Sequence, residues 1–95
     1  MIHINKFGSV LTSRQAGKEA YSAFLPSLNE LSADGKIIAD FEGVSTFTPS
    51  WGDEFLTPIL KRFGARLELI NTNNPSVRLT VETLETVHNI KFTIA

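Results

Sequence analysis

Ile2 and Ile4 alternate with His3 and Asn5 at the start of the chain, the period-two pattern of a short strand with one buried face. Gly8 breaks it. Ala16, Ala20, Ala23, Phe24, Leu28 and Leu31 then recur at helical spacing, which sets one apolar stripe against a core. Thr12 and Gln15 have the spacing of a capping box at the start of that helix. Pro26 lies inside the stripe and leaves the Ser22 carbonyl without its helical donor, so a kink or a break is expected there. Ala33, Asp34 and Gly35 close the segment as a turn.

Ile37, Ile38, Ala39 and Phe41 form a nearly continuous apolar run, as expected of a strand covered on both faces. A hydroxyl-rich stretch follows, and Ser50 reads as a helix N-cap with Asp53 at the third helical position to complete a second box. Phe55, Leu56, Ile59, Leu60 and Phe63 supply the buried stripe, and Pro58 predicts a bend. Lys61 and Arg62 suit the helix's negative end, and Gly64 suits a left-handed terminus. Leu67, Leu69 and Ile70 make the next strand. Asn71, Asn73 and Asn74 mark a loop, and Asn74 followed by Pro75 opens a third helix. Val77, Val81, Leu84 and Val87 or His88 follow one face of it, and Ile90, Phe92 and Ile94 alternate as a closing strand.

The order β-α-β-α-β-α-β predicts an α/β fold over residues 1–95: one domain, with a four-stranded, mainly parallel sheet and three main helices packed on it. The second strand should be internal, and the helices should cover one face more heavily.

Charge narrows the range of functions. Nine basic residues against ten acidic ones leave a formal charge of -1, and no Lys/Arg run supports a phosphate-binding face, so a nucleic-acid partner is not expected. With no cysteine in the chain, thiolate metal sites, disulfides and cysteine nucleophiles are excluded. No stretch approaches the roughly 18 apolar residues of a membrane span, and the first residues lack the pattern of a signal peptide, so a cytoplasmic location is the expectation.

The candidate chemistry gathers where the second strand runs into the second helix. That is the carboxyl edge at which open α/β sheets usually bind their ligands. Ser50 is a cap or a contact. Asp53 reads as the capping-box acid and Glu54 as a solvated or interface group; adjacent on a helix, they diverge by about 100° and do not form an acid/base pair. Trp51 reads as a lid over the sheet edge or, with Phe47, as an apolar docking patch. His3 and His88 stand at opposite ends of the chain, with one a candidate for the last turn of the third helix, and no histidine is placed near Ser50. No metal set, phosphate loop or nucleophile–base pair is visible, so no cofactor is expected and an enzyme is the least supported class.

The segment from Ile38 to Val44, followed by Ser50 to Leu56, resembles the bacterial STAS-like domain family, itself similar to the STAS domain of sulphate transporters and anti-sigma factor antagonists. Phe7, Gly8, Leu11, Ser13 and Arg14 upstream extend the likeness, as do Ile70, Asn71, Pro75, Ser76 and Val77 downstream. In anti-sigma factor antagonists an Asp-Ser-Ser-Gly-like sequence opens the helix, and its first serine is phosphorylated by a partner of the histidine-kinase-like ATPase type. Laid on this chain, the aspartate position falls on Thr48, the phosphoserine position on Pro49 and the second serine on Ser50. Proline has no hydroxyl, which leaves Thr48 and Ser50 as the candidate phosphorylation sites.

The resemblance thus implies a non-catalytic regulatory module in bacterial signalling and partner switching. It would dock a histidine-kinase-like ATPase or an anti-sigma-like protein through Phe47, Thr48, Pro49, Ser50, Trp51, Asp53 and Glu54. A small-ligand or nucleotide sensor at the same edge is one alternative, and a self-associating structural subunit is another.

Overall fold

The structure, a computed structural model, describes residues 1–95. Strand β1 (Ile2–His3) leads through a 3-10 turn to β2 (Val10–Leu11) and helix α1 (Arg14–Asn29). Strands β3 (Ile37–Asp40) and β4 (Thr46–Phe47) precede helix α2 (Pro49–Phe63). Strand β5 (Leu67–Ile70), helix α3 (Pro75–His88) and strand β6 (Thr93–Ile94) complete the chain. The main sheet has the order β1-β3-β5-β6 and every pairing in it is parallel, with Ile2 opposite Ala39, Asp40 opposite Ile70 and Leu69 opposite Ile94. The expected α/β architecture of three helices and a four-stranded parallel sheet is what the chain forms, and β3 is internal.

Each crossover steps one strand in the same direction. With right-handed connections this places all three helices on one face of the sheet. Burial agrees: Leu67 and Leu69 are fully buried, while Glu68 and Ile70 between and after them are half-exposed. Ile38 is likewise half-exposed between the buried Ile37 and Ala39. The apolar run of β3 therefore does not signal cover on both faces, as the sequence suggested; Ile38 faces the helix-free side, where Lys36 and Glu68 form an ion pair at 3.4 Å.

Both helices that carry an internal proline run on through it, α1 past Pro26 and α2 past Pro58. Their packing compensates for one lost bond each. The cap of α1 is Ser13, whose hydroxyl accepts the Ala16 N–H at 3.0 Å, not Thr12; Gln15 donates to Glu19 instead of reaching back. Gly64 ends α2 at φ 57° and ψ -131°, a positive-φ conformation but not the left-handed helical one expected of it, whereas Asn89 ends α3 in the left-handed conformation. Gly35 N–H bonds to the Ser32 carbonyl in the expected turn. In the closing segment only Phe92 is buried; Ile94 is half-exposed on the edge strand.

The core is aromatic at its centre. Trp51 stacks near Phe7, Phe47 and Phe55, at centroid separations of 5.8, 5.6 and 5.0 Å. Phe41 meets Phe47 edge-on at 5.0 Å. The crossing of α1 on α2 is close because Gly17 has no side chain: a Cβ there would lie 2.5 Å from the Trp51 carbonyl oxygen.

Candidate functional site

The strand-to-helix junction is longer than the sequence suggested. After β3 the chain turns at Gly43 (φ 83°) and lays down β4, which pairs in parallel with β2 (Val10 opposite Thr46, Leu11 opposite Phe47). This small two-stranded sheet has no counterpart in the sequence reading, because two-residue strands carry no readable alternation. Each of its strands leads into a helix. β2 feeds α1 and β4 feeds α2, so both helices start side by side.

Thr48, not Ser50, caps α2. Its hydroxyl accepts the Trp51 N–H at 3.5 Å and donates to the Thr12 carbonyl at 2.8 Å, so one side chain joins the starts of both helices. Pro49 occupies the first helical position, which needs no N–H and suits a fixed φ. Ser50 is the second helical residue, half-buried and with no capping duty. The proposed Ser50–Asp53 capping box does not form.

Phe47 and Trp51 are each only 1% exposed. They are core, not a surface patch. The Phe47 backbone is held by α3: Ser76 Oγ accepts its N–H at 3.1 Å and Thr80 Oγ1 donates to its carbonyl at 2.6 Å. Gly52 lets the α2 backbone pass the Phe47 ring and the Thr80 methyl, both 3.1 Å from where a Cβ would stand. What the start of α2 offers to solvent is Pro49, with partial exposure of Thr48, Ser50, Asp53 and Glu54.

The acidic pair is clamped from both sides. Arg14 Nη1, in the first turn of α1, donates to Asp53 Oδ2 at 3.2 Å and to Glu54 Oε1 at 3.0 Å. His88 Nε2, in the last turn of α3, lies 2.6 Å from Asp53 Oδ1. Burial pushes the Asp53 carboxyl up, but the hydrogen bonds from His88 and Arg14 outweigh it and hold the group below its ordinary range. The bonds to Glu54 and Asp53 raise the Arg14 guanidinium above its ordinary value. Asp53 is thus an ion-pair acid, not a capping acid. Its divergence from Glu54 is bridged because Arg14 spans both. Sequence reasoning missed Arg14 as a partner and set His88 apart from the junction. The readable signal was parallel topology: α1 and α2 leave the same edge, so the first turn of one lies beside the first turns of the other.

A second polar group lies at the carboxyl end of the main sheet. Asp40 is only 7% exposed and accepts from Asn71 Nδ2 at 2.8 Å and the Glu42 N–H at 2.9 Å, with His3 Nδ1 3.6 Å away. Those contacts, the Asn71 bond first, keep its carboxyl below the usual range. Asn71 reaches it from a left-handed conformation with φ 55°. Asn74 caps α3 through Oδ1 and donates from Nδ2 to the Ser45 carbonyl at 3.0 Å. Asn71 and Asn74 thus line the junction as its scaffolding. No cluster of three or more His, Cys, Asp or Glu residues stands ready to hold a metal.

A family model described as a STAS-like domain of unknown function matches residues 16–77. The chain belongs to this STAS-like family. The match runs from α1 through the junction to the first turn of α3, so it covers Thr48, Pro49, Ser50, Asp53 and Glu54 but stops short of His88. No curated protein and no solved structure matches the chain. No helix is long and apolar enough to cross a membrane.

Proposed function

We propose that this STAS-like domain is a non-catalytic regulatory module that docks a signalling partner of the histidine-kinase-like ATPase type through the polar amino-terminal half of α2. The contact residues are Thr48, Pro49, Ser50, Asp53 and Glu54, with Arg14 and His88 holding the acids in place. The observation that carries this reading is the clamp itself: Arg14 from α1 and His88 from α3 hold the two carboxylates of α2, Asp53 and Glu54, beside the exposed Pro49. Preset charge favours orientation and selection of a partner surface. Ser50, Asp53, Glu54 and His88 line no cavity of the fold; the one that reaches this edge, between β2 and α1, meets it only through Thr12, Ser13 and the buried Trp51. This favours surface docking over a small-ligand sensor or an enzyme at the same edge.

Phosphate control, if this domain uses it, falls on Ser50. Pro49 has no hydroxyl, and the Thr48 hydroxyl is committed to Trp51 and Thr12. A phosphate on Ser50 would sit at a helix N-terminus, where negative charge is favoured. Asp53 and Glu54 would repel it, but both already share the charge of Arg14.

The test is capture of a histidine-kinase-like ATPase from the same genome by the domain and by Ser50→Asp and Glu54→Arg. Each variant should lose at least tenfold in capture while melting within a few degrees of the parent. Full capture by both refutes the reading. Trp51→Ala is unsuited as an interface probe, because truncating a buried Trp costs about 3–5 kcal/mol of stability. Incubation with the ATPase and ATP, followed by mass spectrometry, checks whether Ser50 takes up phosphate.

A further inference from the structure

The two edges of the small β2/β4 sheet are finished differently. On the β4 side, the outward N–H and carbonyl of Phe47 are taken by Ser76 and Thr80. On the β2 side, the parallel register turns the N–H and carbonyl of Val10 away from β4. No turn, loop or cap bond reaches them. Val10 is also 60% exposed. A strand edge of this kind is a template for pairing with another chain.

A groove runs beside that free edge. It has a volume of about 420 Å³ and lies between the 3-10 turn, β2 and α1, lined by Phe7, Leu11, Ala16, Ala20, Ala23 and Trp51 among others. The small side chains on this face of α1 leave the space open, and Trp51 underlies it from the core. Glu19 is the one charged residue of its lining.

We propose that β2 and this groove accept an extended peptide segment of a partner protein, with alternating apolar residues and a basic side chain opposite Glu19. The segment would add to β2 as a strand, exchanging main-chain hydrogen bonds with Val10. Every second side chain would enter the groove, the pattern by which added strands combine affinity with selectivity. The acid in an otherwise uncharged lining selects a cation. A second folded copy of the chain fits less well: a stable interface of standard size takes about 20–30 residues a side, and ten line this groove. This site is separate from the docking surface on α2, and its test needs no ATPase.

The probe is a random linear heptapeptide display library selected on the immobilised full chain. The expected result is enrichment of peptides with apolar residues at alternate positions and a Lys or Arg. A synthetic peptide of the enriched sequence should lose at least tenfold in affinity for Val10→Pro, which deletes the outward N–H from an edge where proline is tolerated. For Glu19→Lys the selected set should switch to acidic peptides. If Val10→Pro does not fold, N-methylation of alternate amides in the peptide replaces it, one methylation register abolishing binding and the other sparing it. No enrichment overturns the proposal, as does binding indifferent to both Val10→Pro and peptide methylation. A concentration-dependent dimer abolished by Val10→Pro also overturns it, since the occupant is then a second copy.

Discussion

Replacing Gly17 by alanine separates two opposing effects whose sum has a definite sign. In a helix interior this change normally stabilises by about 1 kcal/mol, because glycine gives up more backbone freedom on folding. Here the new Cβ would stand 2.5 Å from the Trp51 carbonyl oxygen, 3.0 Å from its Cα and 3.1 Å from its carbonyl carbon. All three are backbone atoms of α2 and cannot swing aside as a side-chain tip can. Relief requires α1 and α2 to part by roughly 1 Å along their shared face, and overpacking of this kind costs about 1–3 kcal/mol, occasionally more. A contact with rigid backbone belongs at the upper end of that range. The expected net effect is a loss of about 2 kcal/mol, or roughly 8–16 °C in Tm for a domain of this size. Urea unfolding followed by fluorescence measures it directly, since Trp51 is the sole tryptophan and is buried beside the contact. Stability equal to or above the parent's would refute the close crossing of α1 on α2, and with it the placement of Arg14 against Asp53 and Glu54.

The cap assignment predicts that Thr48→Ala costs about 1–2 kcal/mol, whereas Ser50→Ala stays within about 0.5 kcal/mol; the reverse order in urea midpoints would restore Ser50 as the cap. Asp53 and Asp40 both have folded pKa values below the ordinary one, so the stability they contribute is complete above the unfolded carboxyl value of about 3.9 and is lost as pH falls through the lower folded values. Asp53→Asn should therefore flatten the acid limb of a stability-versus-pH curve below about pH 4, and an unchanged limb would show that the bonds holding the Asp53 carboxylate are not formed in solution.

The strand and helix order was legible because each long element has its own period: Phe55, Leu56, Ile59 and Leu60 can only share a helix face, and Leu67 and Leu69 only a strand face. The caps were less legible. Thr12 and Ser13 compete within one residue, as do Thr48 and Ser50 within two, and the choice is made by tertiary partners such as the Thr12 carbonyl. The junction was found, but its parts were assigned inside out. By sequence Trp51 is open between a lid over the sheet edge and, with Phe47, a docking patch; burial decides for the lid, and the β2/β4 pairing that turns both rings inward rests on two-residue strands. The polar clamp joins residues from three helices, Arg14, Asp53 and His88, and no local pattern reports such a meeting.

The all-parallel pairing has a kinetic consequence. No two strands of this domain are joined by a hairpin: even the shortest connection between paired residues, from Glu68 to Thr93, encloses the whole of α3. Sheet formation therefore cannot begin from a local β-turn. The entropy of closing each long loop has to be met before any strand pair contributes, and chains dominated by such distant contacts fold more slowly than helical bundles of similar length. Strand pairing here depends on the helices that span those loops, and α1 and α2 cross closely at Gly17 and Trp51. Gly17→Ala should slow refolding where that crossing is made before the sheet closes and speed unfolding where it is made after, so stopped-flow kinetics of this one variant date the helix contact relative to the sheet.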